Sequence, residues 1–180
     1  MQLRRSARLL TAAGVLLLAA PVLTSCGFDY ATDRPYTPGA GTNAKDATVD
    51  VLGAVVVSAQ DGSGTLIASF SNNAANADAT VTEIAGSGDD TDLQVGGFQP
   101  IAIPAGGLVN LADAETPITI TGDYDTGEFL SLKFTFADGG TATLDVPSLA
   151  DCYEYAGLDS TATTPTAVED CLPEAPVVEH

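Results

Sequence analysis

Apolar positions recur with a period of two through the middle of this chain, the spacing of strands that bury one face. The clearest run is 129–136. Leu130, Leu132, Phe134 and Phe136 fall on one face, and Ser131, Lys133 and Thr135 on the other. Ala137-Asp138-Gly139-Gly140 then supplies turn chemistry, and Thr141 to Val146 returns with alternating character. The pair predicts a β-hairpin whose apolar face is core. Upstream, Val49, Val51 and Val55-Val56-Val57 form a β-rich run in which Gly53 breaks the alternation and predicts a bulge. Thr65 to Ser71 and Ala79 to Ile84 are two more strands, parted by the turn formers of Asn72 to Asp78. Shorter pieces follow at 93–95, 98–103, 108–111 and 118–121, between Pro100, Pro104, Gly106-Gly107 and Pro117. No long helical period intervenes. Roughly seven to nine short strands with turns at this spacing predict an all-β fold, a β-sandwich over residues 47–150.

Both ends of the chain depart from that pattern. Arg4, Arg5 and Arg8 precede an apolar run from Leu9 to Leu23, which ends in Leu23-Thr24-Ser25-Cys26. A basic start, an apolar middle and small residues at the end describe a secretory signal peptide over 1–25. The run is short for a bilayer span, which needs about 20 apolar residues. With Cys26 directly after the small residues, the segment resembles a bacterial lipobox. That implies diacylglycerol on the Cys26 thiol, palmitate or a similar acyl chain on its amine, and cleavage before it. An ordinary signal peptide with a chance cysteine is the alternative. Two or three acyl chains hold a protein to a membrane stably where one does not. Arg4-Arg5 sits in surroundings that fit a twin-arginine signal poorly, so the export route stays open.

Residues 26–46 carry Gly, Pro, Thr and Ala without an apolar period and read as the lipidated cysteine plus a flexible tether. Twenty such residues reach about 25 Å root-mean-square. Tyr30 and Tyr36 on it read as solvated. At the other end, 148–157 predicts one helical turn, and 151–180 is an acidic Pro/Thr-rich tail with the composition of disorder. Cys152 and Cys171 remain as an even pair in an oxidising compartment, and the expectation is a disulfide that pins this tail. Such a loop contributes roughly 3 kcal/mol on the chain-entropy model. Two metal-binding thiolates are the alternative, but the close Cys spacing and His partners of soft-metal sites are missing.

Charge narrows the partners. The 180 residues hold 6 Lys and Arg against 24 Asp and Glu, a formal net charge of −18. Removing 1–25 takes three arginines and no acid, which leaves Arg34, Lys45 and Lys133 against 24 acids, net −21. Such a surface repels nucleic acid and anionic head groups, so neither is an expected partner.

Three segments together resemble the PCu(A)C family of periplasmic copper chaperones. They are the early hairpin from Ile67-Ala68-Ser69-Phe70-Ser71-Asn72 to Asp78-Ala79-Thr80-Val81 and Ser87, the stretch Ile101-Ala102-Ile103-Pro104-Ala105-Gly106-Gly107-Leu108, and the closing hairpin from Gly127 through Gly139-Gly140 to Pro147. The resemblance covers roughly 47–147 and implies a cupredoxin/immunoglobulin-like β-sandwich. It also implies copper ligands, His and Met, just before and shortly after the proline–glycine stretch. Here those regions read Gly88-Asp89-Asp90-Thr91-Asp92-Leu93-Gln94-Val95-Gly96-Gly97-Phe98 and Glu115-Thr116-Pro117-Ile118-Thr119-Ile120-Thr121, with neither residue type. Past residue 25 the chain has no Met, and its single His is His180. The fold is therefore expected without its copper site, as in lipoproteins of high-GC Gram-positive bacteria that the chain resembles.

Other chemistry is thin. Asp89, Asp90 and Asp92, or Asp123 and Asp125, offer carboxylates for Ca²⁺, though not at EF-hand spacing. No nucleophile–base pair exists for a serine triad or metallohydrolase, and no Gly-Lys-Ser/Thr follows the glycines. The expectation is no catalytic residue, no cofactor and no metal site. The chain reads as a membrane-anchored extracytoplasmic lipoprotein with a docking or assembly role on another envelope or membrane protein. By family analogy that partner is a respiratory complex, the copper-binding relatives serving cytochrome oxidase assembly. A metal carrier using other ligands, the loop carboxylates or a reduced Cys152/Cys171 pair, is the alternative.

Overall fold

The computed structural model describes residues 40–45, 48–164, 166 and 171. The expected signal peptide, Cys26, most of the expected tether, and residues 46–47, 165, 167–170 and 172–180 lie outside the described residues.

Ten strands form, numbered in chain order: β1 (Thr42–Ala44), β2 (Val49–Gln60), β3 (Ser63–Asn72), β4 (Ala79–Gly86), β5 (Gln94–Gly96), β6 (Ile101–Ile103), β7 (Leu108–Asn110), β8 (Ile118–Thr121), β9 (Phe129–Phe136) and β10 (Thr141–Ala150). Their hydrogen-bonded order is β5-β8-β3-β2-β10-β9-β4-β6, with β1 on β2 and β7 on β3. The fold is all-β, and each expected strand is found. β1 is additional: it lies within the stretch expected to be tether, and it pairs antiparallel with β2, Thr42 opposite Ala54 and Ala44 opposite Val51. Its three residues carry no alternation of their own. The pairing comes from β2, whose free edge satisfies their backbone groups.

The long strands share their edges between short ones. β3 pairs with β8 along Ser63–Leu66 and with β7 along Ser69–Ser71. β2 takes β1 on its first half and β10 on its second. β10 itself belongs to both layers. Thr141–Pro147 runs antiparallel to β9, whereas Ser148–Ala150 runs parallel to Val56–Ser58 of β2. The switch comes straight after Pro147: Ser148 still donates its amide to the Glu128 carbonyl beside β9 at 2.7 Å, and from the same residue onward the strand pairs with β2. A strand that passes between sheets in this way makes the corner of a sandwich.

The bulge expected at Gly53 is present. Register shifts between the Leu52 and Val55 pairs, and Gly53 adopts φ +60°, a conformation that side chains with a Cβ disfavour. Leu130, Leu132, Phe134 and Phe136 are all buried, as the period of two requires. Phe134 meets Phe70 of β3 edge-to-face with ring centroids 5.8 Å apart, joining the two layers at the centre of the core. Tyr153–Tyr155 forms a single 3-10 turn. Among the described residues no helix is long and apolar enough to cross a membrane.

Candidate functional site

The two stretches where the family resemblance places metal ligands do meet. The chain leaves β5 through Gly97, Gln99 and Pro100, and the segment into β8 passes alongside through Ala114 and Thr116. Contact is at backbone distance: a Cβ on Gly97 would stand 2.3 Å from the Pro117 carbonyl oxygen, and Gly97 adopts φ +71°. Between them opens a cleft of about 210 Å³, floored by Ile101, Val109, Leu111 and Ile118. Its lining holds no carboxylate, imidazole, thiol or thioether, so nothing in its walls can ligate a soft metal.

The acids of the first stretch serve elsewhere. The Asp90 carboxylate accepts the Ser131 amide at 2.7 Å and ties the 3-10 turn at Gly88–Asp90 to β9. Asp92 and Asp89 gain no such partner. In the other acidic loop, Glu128 accepts the Asp125 amide at 3.0 Å and Asp61 accepts the Thr126 amide at 2.8 Å. Each carboxylate caps a turn, and among the described residues no three His, Cys, Asp or Glu converge as a metal site.

Cys152 and Cys171 form a disulfide, their Cα atoms 5.6 Å apart. Oxidised, the pair has no thiolate to offer a metal. Next to it Tyr153 is the one non-glycine residue of positive φ among the described residues, at +53°. Its hydroxyl donates to the Cys171 carbonyl, and its ring stays 67 % exposed. Holding a tyrosine in the left-handed region costs about 1–2 kcal/mol. The disulfide and the hydroxyl contact hold it there.

The densest polar chemistry of the described residues was not legible in the pattern of the chain. It lies where the tail returns to the start of β3, and all its anchors are buried: Ser58, Thr65, Ser148, Asp151 and Asp159. The tail segment expected from its composition to be disordered is instead seated here over 158–161. Asp159 accepts the Ala59 amide at 2.8 Å with one carboxylate oxygen. With the other it accepts the Thr161 amide at 2.9 Å, the Thr161 hydroxyl at 2.7 Å and the Thr65 hydroxyl at 3.3 Å. The Asp151 Oδ1 accepts the Leu158 amide at 3.0 Å and the Asp159 amide at 3.4 Å. Deeper in, the Ser58 hydroxyl lies 3.2 Å from that of Ser148 and 3.4 Å from that of Tyr124. The Tyr124 hydroxyl also donates to the Ile120 carbonyl at 3.3 Å. Burial raises the Tyr124 phenol above its ordinary value. The Ser58 contact opposes that rise, and the charges of Asp159 and Asp61 add to it. One local signal was available: Asp159-Ser160-Thr161 is an Asx-turn sequence. The decisive partners, 94 and 100 residues away along the chain, leave no trace in local periodicity.

No family model matches the sequence, and no curated protein matches it significantly. Solved structures similar to the chain include PCuAC domains. The copper-bound PCuAC domain from PmoF2 shares 14 % identity at a TM-score of 0.49, covering 61 % of this chain and 98 % of that one. The apo PCuAC domain from PmoF1 shares 13 % identity at 0.48, covering 61 % and 99 %.

Proposed function

We propose that this chain is a non-catalytic docking module, held at the outer face of the cell membrane through a lipid on Cys26, which binds another envelope or membrane protein. One observation carries the reading. The loops that meet at the sandwich edge enclose an apolar cleft, over Ile101, Val109, Leu111 and Ile118, that has contact surface but no ligating or acid–base group. A cleft of that character gains affinity by burying an apolar side chain of a partner. The surroundings favour a basic partner, since Lys45 and Lys133 are the only basic residues among those described, in a chain with 24 acids. Tether and anchor confine the encounter to the membrane surface, which raises the effective concentration of a membrane-bound partner.

The test is a photoreactive amino acid at Thr116, on the rim of the cleft, in cells that export the full chain. The expected result is one discrete crosslinked protein, lost when Ile101→Glu closes the cleft with charge. Absence of any adduct above background from several rim positions would overturn the reading. So would tight one-to-one Cu(I) binding in anaerobic calorimetry, which would restore a copper-carrying role with other ligands.

A further inference from the structure

Tyr153 combines two features that its own turn does not explain. Its backbone is held in the left-handed region, and its side chain is the most exposed large apolar one of the described residues. A strained backbone that also turns an aromatic ring toward water costs free energy twice, unless something covers the ring. Tyr153 lines a groove of about 280 Å³ together with Leu149, Ala150, Tyr155 and Ala40. Glu154 is the one charged residue among the described residues that line it, and the Cys152–Cys171 disulfide borders it. Because the Tyr153 hydroxyl donates to the Cys171 carbonyl, the ring and Cys171 are fixed side by side. None of these residues lines the cleft beside β5 and β8.

The chain leaves Cys171 at this groove, and the sequence continues as Leu172-Pro173-Glu174-Ala175-Pro176-Val177. In a polyproline II helix, residues three apart fall on one edge, and Pro173 and Pro176 have that spacing. Pro-x-x-Pro segments bind grooves walled by aromatic side chains, because a preformed extended chain gives up little entropy on docking. Proline carries no amide hydrogen, so such a segment needs no free strand edge. We propose that the groove at Tyr153 and Tyr155 is the docking site of this chain's own residues 172–177, and that the disulfide delivers the segment to its mouth. With Cys171 in the groove wall, no linker separates site from ligand. The effective concentration is then in the millimolar range, enough to form a contact whose dissociation constant is about 1 mM. Docking covers the exposed Tyr153 ring and leaves the cleft beside β5 and β8 open.

The test is hydroxyl-radical footprinting of the tyrosines, read by mass spectrometry, on the full chain in detergent with its disulfide intact. A chain stopped after Cys171 should label about threefold faster at Tyr153 and Tyr155, as loss of a mostly bound segment requires. Pro173→Gly with Pro176→Gly in the full chain should raise labelling at the same two residues. Unchanged labelling of Tyr124, buried in the core, reports in each case that the fold is intact. A synthetic peptide of residues 172–180, added to the stopped chain at a few millimolar, should restore the protection. Equal labelling of Tyr153 in the full and stopped chains would overturn the proposal. So would protection retained in the double glycine variant, or protection of the full chain that fades on dilution, the mark of a second copy in the groove.

Discussion

The two halves of β3 border opposite kinds of environment. Beside its C-terminal half, where Phe70 pairs with Val109, the sandwich opens into a cleft walled by apolar side chains and turn residues. Around its N-terminal half, Ser63 and Thr65 enter a network of buried carboxylates and hydroxyls drawn from β2, β10 and the returning tail. The first region is where a family resemblance directs attention, and it holds no chemistry. The second holds most of the buried polar groups, and no resemblance points to it. Fold and site are separable: the strands fix where two loops meet, and the side chains on those loops decide independently what happens there.

The sharpest way to break the contrast is to empty the polar region of its hub. Asp159→Ala removes one acceptor from four donors, including the Ala59 amide, and leaves that amide without its side-chain partner. Charge-assisted hydrogen bonds of this kind are worth about 1.5–3 kcal/mol each before water replaces them. The net loss in urea unfolding should be about 3 kcal/mol. A loss under about 0.5 kcal/mol would mean that the tail is not held by its carboxylate. A substitution on the cleft rim, such as Thr116→Ser, should by contrast stay within about 0.5 kcal/mol.

Next in size is the disulfide. Cys171→Ser opens the loop from Cys152 and should lower stability by roughly 3 kcal/mol on the chain-entropy model. Release of the strained Tyr153 backbone offsets part of that. Calorimetric unfolding of the two variants and of their double variant separates the latches. If the carboxylate and the disulfide hold the same tail segment, their effects combine to less than the sum.

How these regions were legible in the sequence differs for a physical reason. The hairpin at 129–146 writes its structure locally, because a strand buried on one face must alternate, and Leu130, Leu132, Phe134 and Phe136 do so. The cleft was legible in part. Pro100 and Pro117 announced breaks between strands, but only the pairing of β5 with β8 brings the two stretches together. The polar cluster was not legible, because Asp159 sits in a run of Ser, Thr and Ala that reads as solvated tail. Its burial depends on Ala59 and Thr65, far back in the chain. β1 escaped notice for the same reason: the edge that holds it belongs to β2.

The smallest effect expected is also the most selective. Tyr124 carries the polar network into the core, and burial is the main cause of its raised pKa, with Asp159 and Asp61 adding to it against the Ser58 contact. A phenol that holds its proton longer in the folded chain than in the unfolded one stabilises nothing extra while both are protonated. Above the ordinary value of 10.0 the unfolded chain releases its proton first, so its free energy falls relative to that of the fold. Stability should be level across neutral pH and fall as pH rises past about 10 toward the folded-state value. Tyr124→Phe keeps the ring, gives up the hydroxyl contacts to Ile120 and Ser58 at a cost of about 1 kcal/mol, and removes this tyrosine's share of the alkaline slope. Tyr155, also raised by burial and by Glu154, keeps its own share. Urea midpoints measured across that range decide the matter. An alkaline slope unchanged in Tyr124→Phe would show that the charge of the cluster does not reach the core through this side chain.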